Sequence, residues 1–207
     1  MNRSYLFDCK KCEDRCDGVS KGVYIFKNDV AYSQKFENEI TEIVNTVTNK
    51  YAEKTDKEGY PDIEICDKSG KIICYIEVKA QRRTFMAVEK MLPKGNLKPS
   101  ETIALNLSDL NRYFEIYDAD KIPIYLAWAV SNRPCVLENK PHQLFFQDIS
   151  ILKKIYTRYG MNRRFKRRSG YGDVVNGKHK GVVVNYHFSL NELDDNIKNL
   201  STEINMM

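Results

Sequence analysis

The chain has 207 residues, enough for one substantial hydrophobic core, and its 42% hydrophobic and 11% aromatic content excludes an intrinsically disordered chain. The 33 Lys and Arg against 28 Asp and Glu leave a net charge of +5, too small to define a partner until its distribution is examined. The longest apolar stretch, around Ile122 to Val130, is interrupted by Pro123 and far too short to cross a bilayer, so no membrane partner and a cytoplasmic location are expected.

Residues 1–29 read as an N-terminal extension and residues 30–207 as one domain. In the extension, Cys9, Cys12 and Cys16 place three thiols within eight residues. Clustered thiols in a cytosolic chain point to a structural metal, zinc or an iron–sulfur cluster, with Asp8, Cys66, Cys135 and His142 as candidate fourth ligands. Reduced thiols on a solvated extension are the alternative. A strand is expected at Gly22 to Lys27. A long helix is then expected at about 33–53, because Phe36, Ile40, Ile43, Val44 and Val47 recur at helical spacing and Ser33 is placed to cap it.

Pro61-Asp62 and Glu77-Val78-Lys79, with fourteen residues between Asp62 and Glu77, flank the turn sequence Asp67-Lys68-Ser69-Gly70, which predicts a β-hairpin bringing Asp62 beside Glu77. Residues two apart on a strand share a face, so Glu77 and Lys79 project together, while Ile72, Cys74, Ile76 and Val78 are expected to bury the opposite face. Two carboxylates are the usual protein contribution to a Mg²⁺ site, and the ion can polarise a phosphate and promote attack by water. A lysine beside such a pair can orient or deprotonate the water, or neutralise charge developing on the phosphate. An amphipathic strand with a solvated charged edge is the plainer reading of Glu77 and Lys79.

Pro61-Asp62-Ile63-Glu64-Ile65 and Tyr75-Ile76-Glu77-Val78-Lys79-Ala80-Gln81 together resemble the active-site signature of the PD-(D/E)xK nuclease superfamily. The resemblance spans roughly residues 30–132, in the order helix, strand, strand, helix, strand. It implies an α/β domain with a restriction-endonuclease-like core, a central mixed β-sheet flanked by helices. It also implies that Asp62, Glu77 and the main-chain carbonyl of Val78 bind Mg²⁺ (or Mn²⁺), that Glu37 assists directly or through water, with Glu39 and Glu42 or a merely solvated helix face as the alternatives, and that Lys79 acts on the nucleophile. Gln81 matches a position where some relatives keep a polar residue near the site.

Beyond the hairpin, helical spacing of Phe85, Val88, Met91 and Leu92 predicts a helix over 81–92, ended by Pro93. Ser108 is placed to cap a helix through about Asp118, and the run from Ile122 to Val130 reads as a buried strand with Pro123 near its start. Leu144 to Gln147 predicts a strand, Ile149 to Tyr159 a helix, and Gly181 to Phe188 a last strand before a C-terminal helix.

Residues 149–172 contain no acidic residue and carry Lys153, Lys154, Arg158, Arg163, Arg164, Lys166, Arg167 and Arg168, a local charge of +8. Such a segment attracts a polyanion and releases counterions on binding it, and Tyr156, Tyr159, Phe165 and Tyr171 are placed to stack on bases or pack beneath the loop. A solvated helix end or an acidic partner is the competing reading. The combined expectation is a Mg²⁺-dependent DNA endonuclease hydrolysing phosphodiester bonds, with a homodimer suited to cutting both strands. The alternatives are a non-catalytic nucleic-acid-binding or assembly protein of the same fold, and an RNA-directed nuclease.

Overall fold

The computed structural model describes residue 9 and residues 26–82, 84–138, 140–166, 174–175, 178–179 and 184–207. Its first element, α1 (Phe26–Val47), buries Phe36, Ile40 and Val44, a stripe at four-residue spacing. The helix begins earlier and ends earlier than its sequence pattern predicts. Phe26 and Lys27, expected in a strand, are helical, and the preceding part of that expected strand lies outside the described residues. At the other end, the Asn45 side chain donates to the Ala52 carbonyl at 3.0 Å and accepts from the Ala52 N–H at 2.7 Å. That pair of bonds holds the returning chain against the helix, and β1 (Tyr51–Lys54) joins the sheet where continued helix was expected.

The predicted hairpin forms from β2 (Ile63–Cys66) and β3 (Ile72–Gln81), antiparallel with Ile63 opposite Ile76. Its turn is organised by Asp67, whose Oδ1 accepts from the Ser69 N–H, the Ser69 hydroxyl and the Lys71 N–H. These bonds hold the Asp67 carboxyl below the usual carboxylate range. Gly70 sits at φ 81°, where a side chain would be strained. A register shift at Ile65 and Cys66 corrects one expectation: Cys74, Ile76 and Val78 share the buried face as predicted, but Ile72 turns to the opposite layer and Ile73 takes its place.

After the short α2 (Val88–Met91) come β4 (Thr102–Asn106), α3 (Leu107–Asp120), β5 (Ile124–Ser131) and the short α4 (Pro134–Leu137). The chain continues through β6 (His142–Asp148), α5 (Ile149–Tyr159), a 3₁₀ turn over Gly160–Arg163 and β7 (Arg164–Lys166). It ends with β8 (Val174–Val175), β9 (Lys178–His179), β10 (Val184–Ser189) and α6 (Ile197–Met206). The main sheet has the order β1-β2-β3-β5-β6; only β3 and β5 run parallel, so the sheet is mixed. A second antiparallel sheet has the order β4-β10-β7.

The main sheet is covered on both faces, which is why all eight residues of β5 are buried. One face, built from Ile63, Ile65, Ile76, Val78 and Ala127, packs beneath α1 and α6. The other, with Tyr75, Leu126, Trp128 and Phe145, packs against α3, α5 and the second sheet through Leu110, Tyr113, Leu152 and Tyr186. This is the expected α/β architecture. The long helix expected over 81–92 is not: β3 stays paired with β5 out to Gln81 opposite Val130, and the apolar Val88, Leu92 and Leu97 instead form a small cluster beneath an irregular segment, leaving one helical turn. Ser108 lies inside the first turn of α3, because β4 runs into the helix with Asn106 at the cap.

Candidate active site

Asp62 immediately precedes β2 and is held against β3, its Oδ2 accepting the Val78 N–H at 2.9 Å. The register that pairs Ile63 with Ile76 sets Asp62 across from Glu77 on the adjoining strand. Glu77 is only 2% exposed and forms an ion pair with Lys79, its neighbour on the same face of β3. Burial pushes the Glu77 carboxyl up to about 7, the Asp62 charge adds to the rise, and Lys79 opposes it. Burial alone would lower Lys79, yet the attraction of Glu77, followed by that of Asp62, holds its ammonium above the usual lysine value.

Glu37, on the middle of α1, belongs to the same electrostatic group. Its carboxyl is raised by partial burial and by Asp62, with Lys54 and Lys79 acting in the opposite direction. Gln81 closes β3 two residues beyond Lys79, at the rim. The structure therefore joins Asp62 to the Val78 main chain and Glu77 to Lys79 on adjoining strands, with Glu37 within electrostatic reach of Asp62 and Lys79. Glu39 is engaged elsewhere: both its oxygens lie 2.9–3.0 Å from the Nε2 of His142.

The donor set suits a hard divalent cation. Two carboxylates stand side by side, one of them buried and reluctant to ionise without a positive neighbour, and the Asp62 main contact uses only one of its oxygens. One strand outward, Glu53, Glu64 and Cys66 bring one ligand atom each within 4.8 Å of one another. Burial and Glu53 both raise the Glu64 carboxyl.

One contributor to the site has no counterpart in the sequence reading. Tyr113 of α3 is buried near Glu77, burial and then the Glu77 charge raising its hydroxyl, and Arg112 donates to the Tyr113 hydroxyl at 3.3 Å. The available signal was helical spacing, which puts Leu110, Tyr113 and Phe114 on the inward face of α3; it does not say which strand residue they meet.

The basic segment is less uniform than its composition. Lys154 and Arg158 are exposed on α5, Lys166 is exposed on β7, and Lys153 is paired with Asp118 at 2.5 Å. Arg164 is half-buried and donates to the Tyr156 hydroxyl. Arg163 is a correction. It is 1% exposed, donates from Nε to the Gly95 carbonyl at 2.9 Å and pairs through Nη1 with Glu192 at 2.6 Å, so its guanidinium is committed to the interior and withdrawn from any phosphate-binding surface. Arg167, Arg168, Cys12 and Cys16 lie outside the described residues, while Cys9 is half-buried. Among the described residues no helix is long and apolar enough to cross a membrane.

No protein-family model matches the sequence, and no curated protein matches it. Among solved structures, the chain is similar to Hjc, a Holliday junction resolvase from Archaeoglobus fulgidus, at 10% identity, covering 83% of this chain and 96% of that one with a TM-score of 0.45. It is also similar to D212, a nuclease from a fusselovirus, at 10% identity, covering 89% of this chain and 96% of that one with a TM-score of 0.43.

Proposed function

We propose that this chain is a metal-dependent DNA endonuclease of the restriction-endonuclease-like type, active in the cytoplasm. The observation that carries the reading is the grouping of Asp62, Glu77 and Lys79 on the adjoining strands of the hairpin, with Glu37 of α1 within electrostatic reach of Asp62 and Lys79. Asp62, Glu77 and the Val78 carbonyl are the residues that would hold Mg²⁺ or Mn²⁺, with Glu37 supporting them directly or through water. Such an ion supplies positive charge to a phosphodiester and eases the ionisation of water.

The chain's own residues set up the rest. Lys79 keeps a proton on its ammonium beside the acidic pair, where it can donate to the attacking water or to a phosphate oxygen as negative charge accumulates. Gln81, the last residue of β3 and two beyond Lys79, is placed to offer a polar group to substrate. Lys154, Arg158 and Lys166 extend cationic surface away from the site and support a polyanionic substrate. A homodimer would present one site to each strand of a duplex.

Cleavage of supercoiled, linear, single-stranded and branched DNA, and of matched RNA, with Mg²⁺ and with chelator tests the proposal. Asp62→Ala and Glu77→Ala should abolish cleavage with folding retained, and Lys79→Ala should be severely impaired with metal still bound. Full activity in either carboxylate variant would remove the site, preferential cleavage of RNA would change the substrate, and DNA binding without any metal-dependent cleavage would make the chain a non-catalytic binder.

A further inference from the structure

A second group of ligand atoms lies apart from Asp62 and Glu77. β1 and β2 pair so that Glu53 stands opposite Glu64 and Tyr51 opposite Cys66. Strand alternation therefore puts both carboxylates and the thiol on one face, and a ligand atom from each of Glu53, Glu64 and Cys66 lies within 4.8 Å of the other two. The thiol is the floor of the group: Cys66 is a free cysteine only 6% exposed, while Glu64 is half-buried and Glu53 exposed. Among the described residues, none of these three side chains makes a hydrogen bond or an ion pair. Like charges directly opposed on neighbouring strands are destabilising. Lys57, the cation that acts on Glu64, lies over the Tyr60 ring at 4.7 Å. Asp62 acts instead on Glu37 and Glu77, so the two acidic groups are electrostatically separate.

We infer that Glu53, Glu64 and Cys66 form a second metal site, one that takes a thiophilic divalent cation of the zinc class. Mg²⁺ and Ca²⁺ take oxygen ligands and gain nothing from a buried thiol, whereas Zn²⁺ accepts sulfur and carboxylate oxygen together. Around a tetrahedral ion, bonds of ~2.3 Å to sulfur and ~2.1 Å to oxygen set the ligand atoms about 3.5 Å apart, a contraction that rotation of the two glutamate side chains can supply. Binding releases the Cys66 proton to solvent and leaves a fourth position for water. The ion offsets the facing charges and ties the edge strand β1 to β2, the strand that begins beside Asp62. Its role is to brace the strands, and it does not depend on the metal-dependent reading of Asp62 and Glu77.

The test is Co²⁺ and Zn²⁺ binding by the full chain with Cys9, Cys12 and Cys16 replaced by Ser, so that Cys66, Cys74 and Cys135 are the remaining thiols. Co²⁺ should give a thiolate-to-cobalt charge-transfer band, which an all-oxygen site at Asp62 and Glu77 does not produce, and Zn²⁺ should displace it. Adding Cys66→Ala should abolish the band. Glu53→Gln and Glu64→Gln should each weaken Co²⁺ binding by at least the ~10- to 100-fold that loss of an outer contact costs. Asp62→Ala should leave the band in place. Glu53→Gln alters an exposed side chain, so it is also read with the amino-terminal thiols intact, where one Zn²⁺ per chain should be held more weakly. Absence of the band, or a band that survives Cys66→Ala, overturns the site. So does an affinity that the glutamine variants leave unchanged in either background, and Co²⁺ that Zn²⁺ cannot displace overturns the choice of cation. Loss of the band in Asp62→Ala would assign the ion to the catalytic group and overturn a separate site. Failure of metal-dependent cleavage with the band intact would overturn the nuclease reading and leave this site standing.

Discussion

Glu77 is buried between a second carboxylate and an ammonium, and its free energy in the metal-free chain depends on which form it takes. An unfolded glutamate titrates near 4.5, whereas burial moves this one to about 7, so between those values the folded chain holds a proton that the unfolded chain has released. Stability contributed by this group is therefore present at low pH, falls as pH rises from about 4.5 to about 7, and stays low above that. The shift already includes the opposing pull of Lys79 and corresponds to a penalty on the order of 3 kcal/mol, since one pH unit is ~1.4 kcal/mol. Glu77→Gln is neutral throughout. In chelator, chemical denaturation should find this variant more stable than wild type at pH 8 and nearly equal to it at pH 5. An unchanged difference across that range would mean that Glu77 ionises without cost. Glu77 and Lys79 were legible as a pair because strand alternation is a local rule; Tyr113 was not, because its nearness to Glu77 depends on how α3 packs on the sheet.

At the scale of elements, the sequence pattern is most informative where period and punctuation agree. The span of α5, Ile149–Tyr159, is as expected, with Asp148 accepting from the Ser150 N–H at the cap, and the hairpin turn is set by Asp67 and Gly70. It is least informative where a strand has no turn residues around it. β4 passes directly into α3, and β1 lies where the helical pattern of α1 runs on in the sequence, its backbone captured by Asn45. The second sheet was illegible because its pairing is long-range: Asn185 opposes both Asn106 of β4 and Phe165 of β7. Arg163 shows the same limit for charge, since composition groups it with its solvated neighbours while the fold seats it under Tyr159, with its guanidinium 3.6 Å from the ring centre. It joins the Gly95 carbonyl and Glu192 across that sheet, so Arg163→Met should lower stability by about 3 kcal/mol, near the lower end for breaking a buried pair because Glu192 is 19% exposed. Urea denaturation measures this directly. Lys154→Ala on exposed α5 should stay within about 0.5 kcal/mol of wild type, and equal losses in the two variants would contradict the distinction.

Across the whole molecule, the acidic group and the cationic surface occupy different elements joined through α3. Burial and the nearby Glu77 raise the Tyr113 hydroxyl of α3, while Phe114 packs edge-on against Tyr156 of α5 at 5.4 Å and Asp118 pairs with Lys153. This layout separates holding the substrate from reacting with it. Lys154, Arg158 and Lys166 are exposed and contact none of the acidic site residues in the described structure, so replacing all three with Gln should weaken duplex DNA binding and leave metal binding intact. If each contacts one phosphate, the slope of log affinity against log salt should flatten by about 2.7, at ~0.9 per contact. The loss in cleavage should lie in substrate affinity, and single-turnover rates at low salt with excess enzyme should approach those of wild type. An unchanged salt slope would move the DNA-binding surface off α5 and β7. A rate that saturating enzyme fails to restore would instead place one of these cations at the reacting phosphate, closer to Glu77 than the elements that carry them.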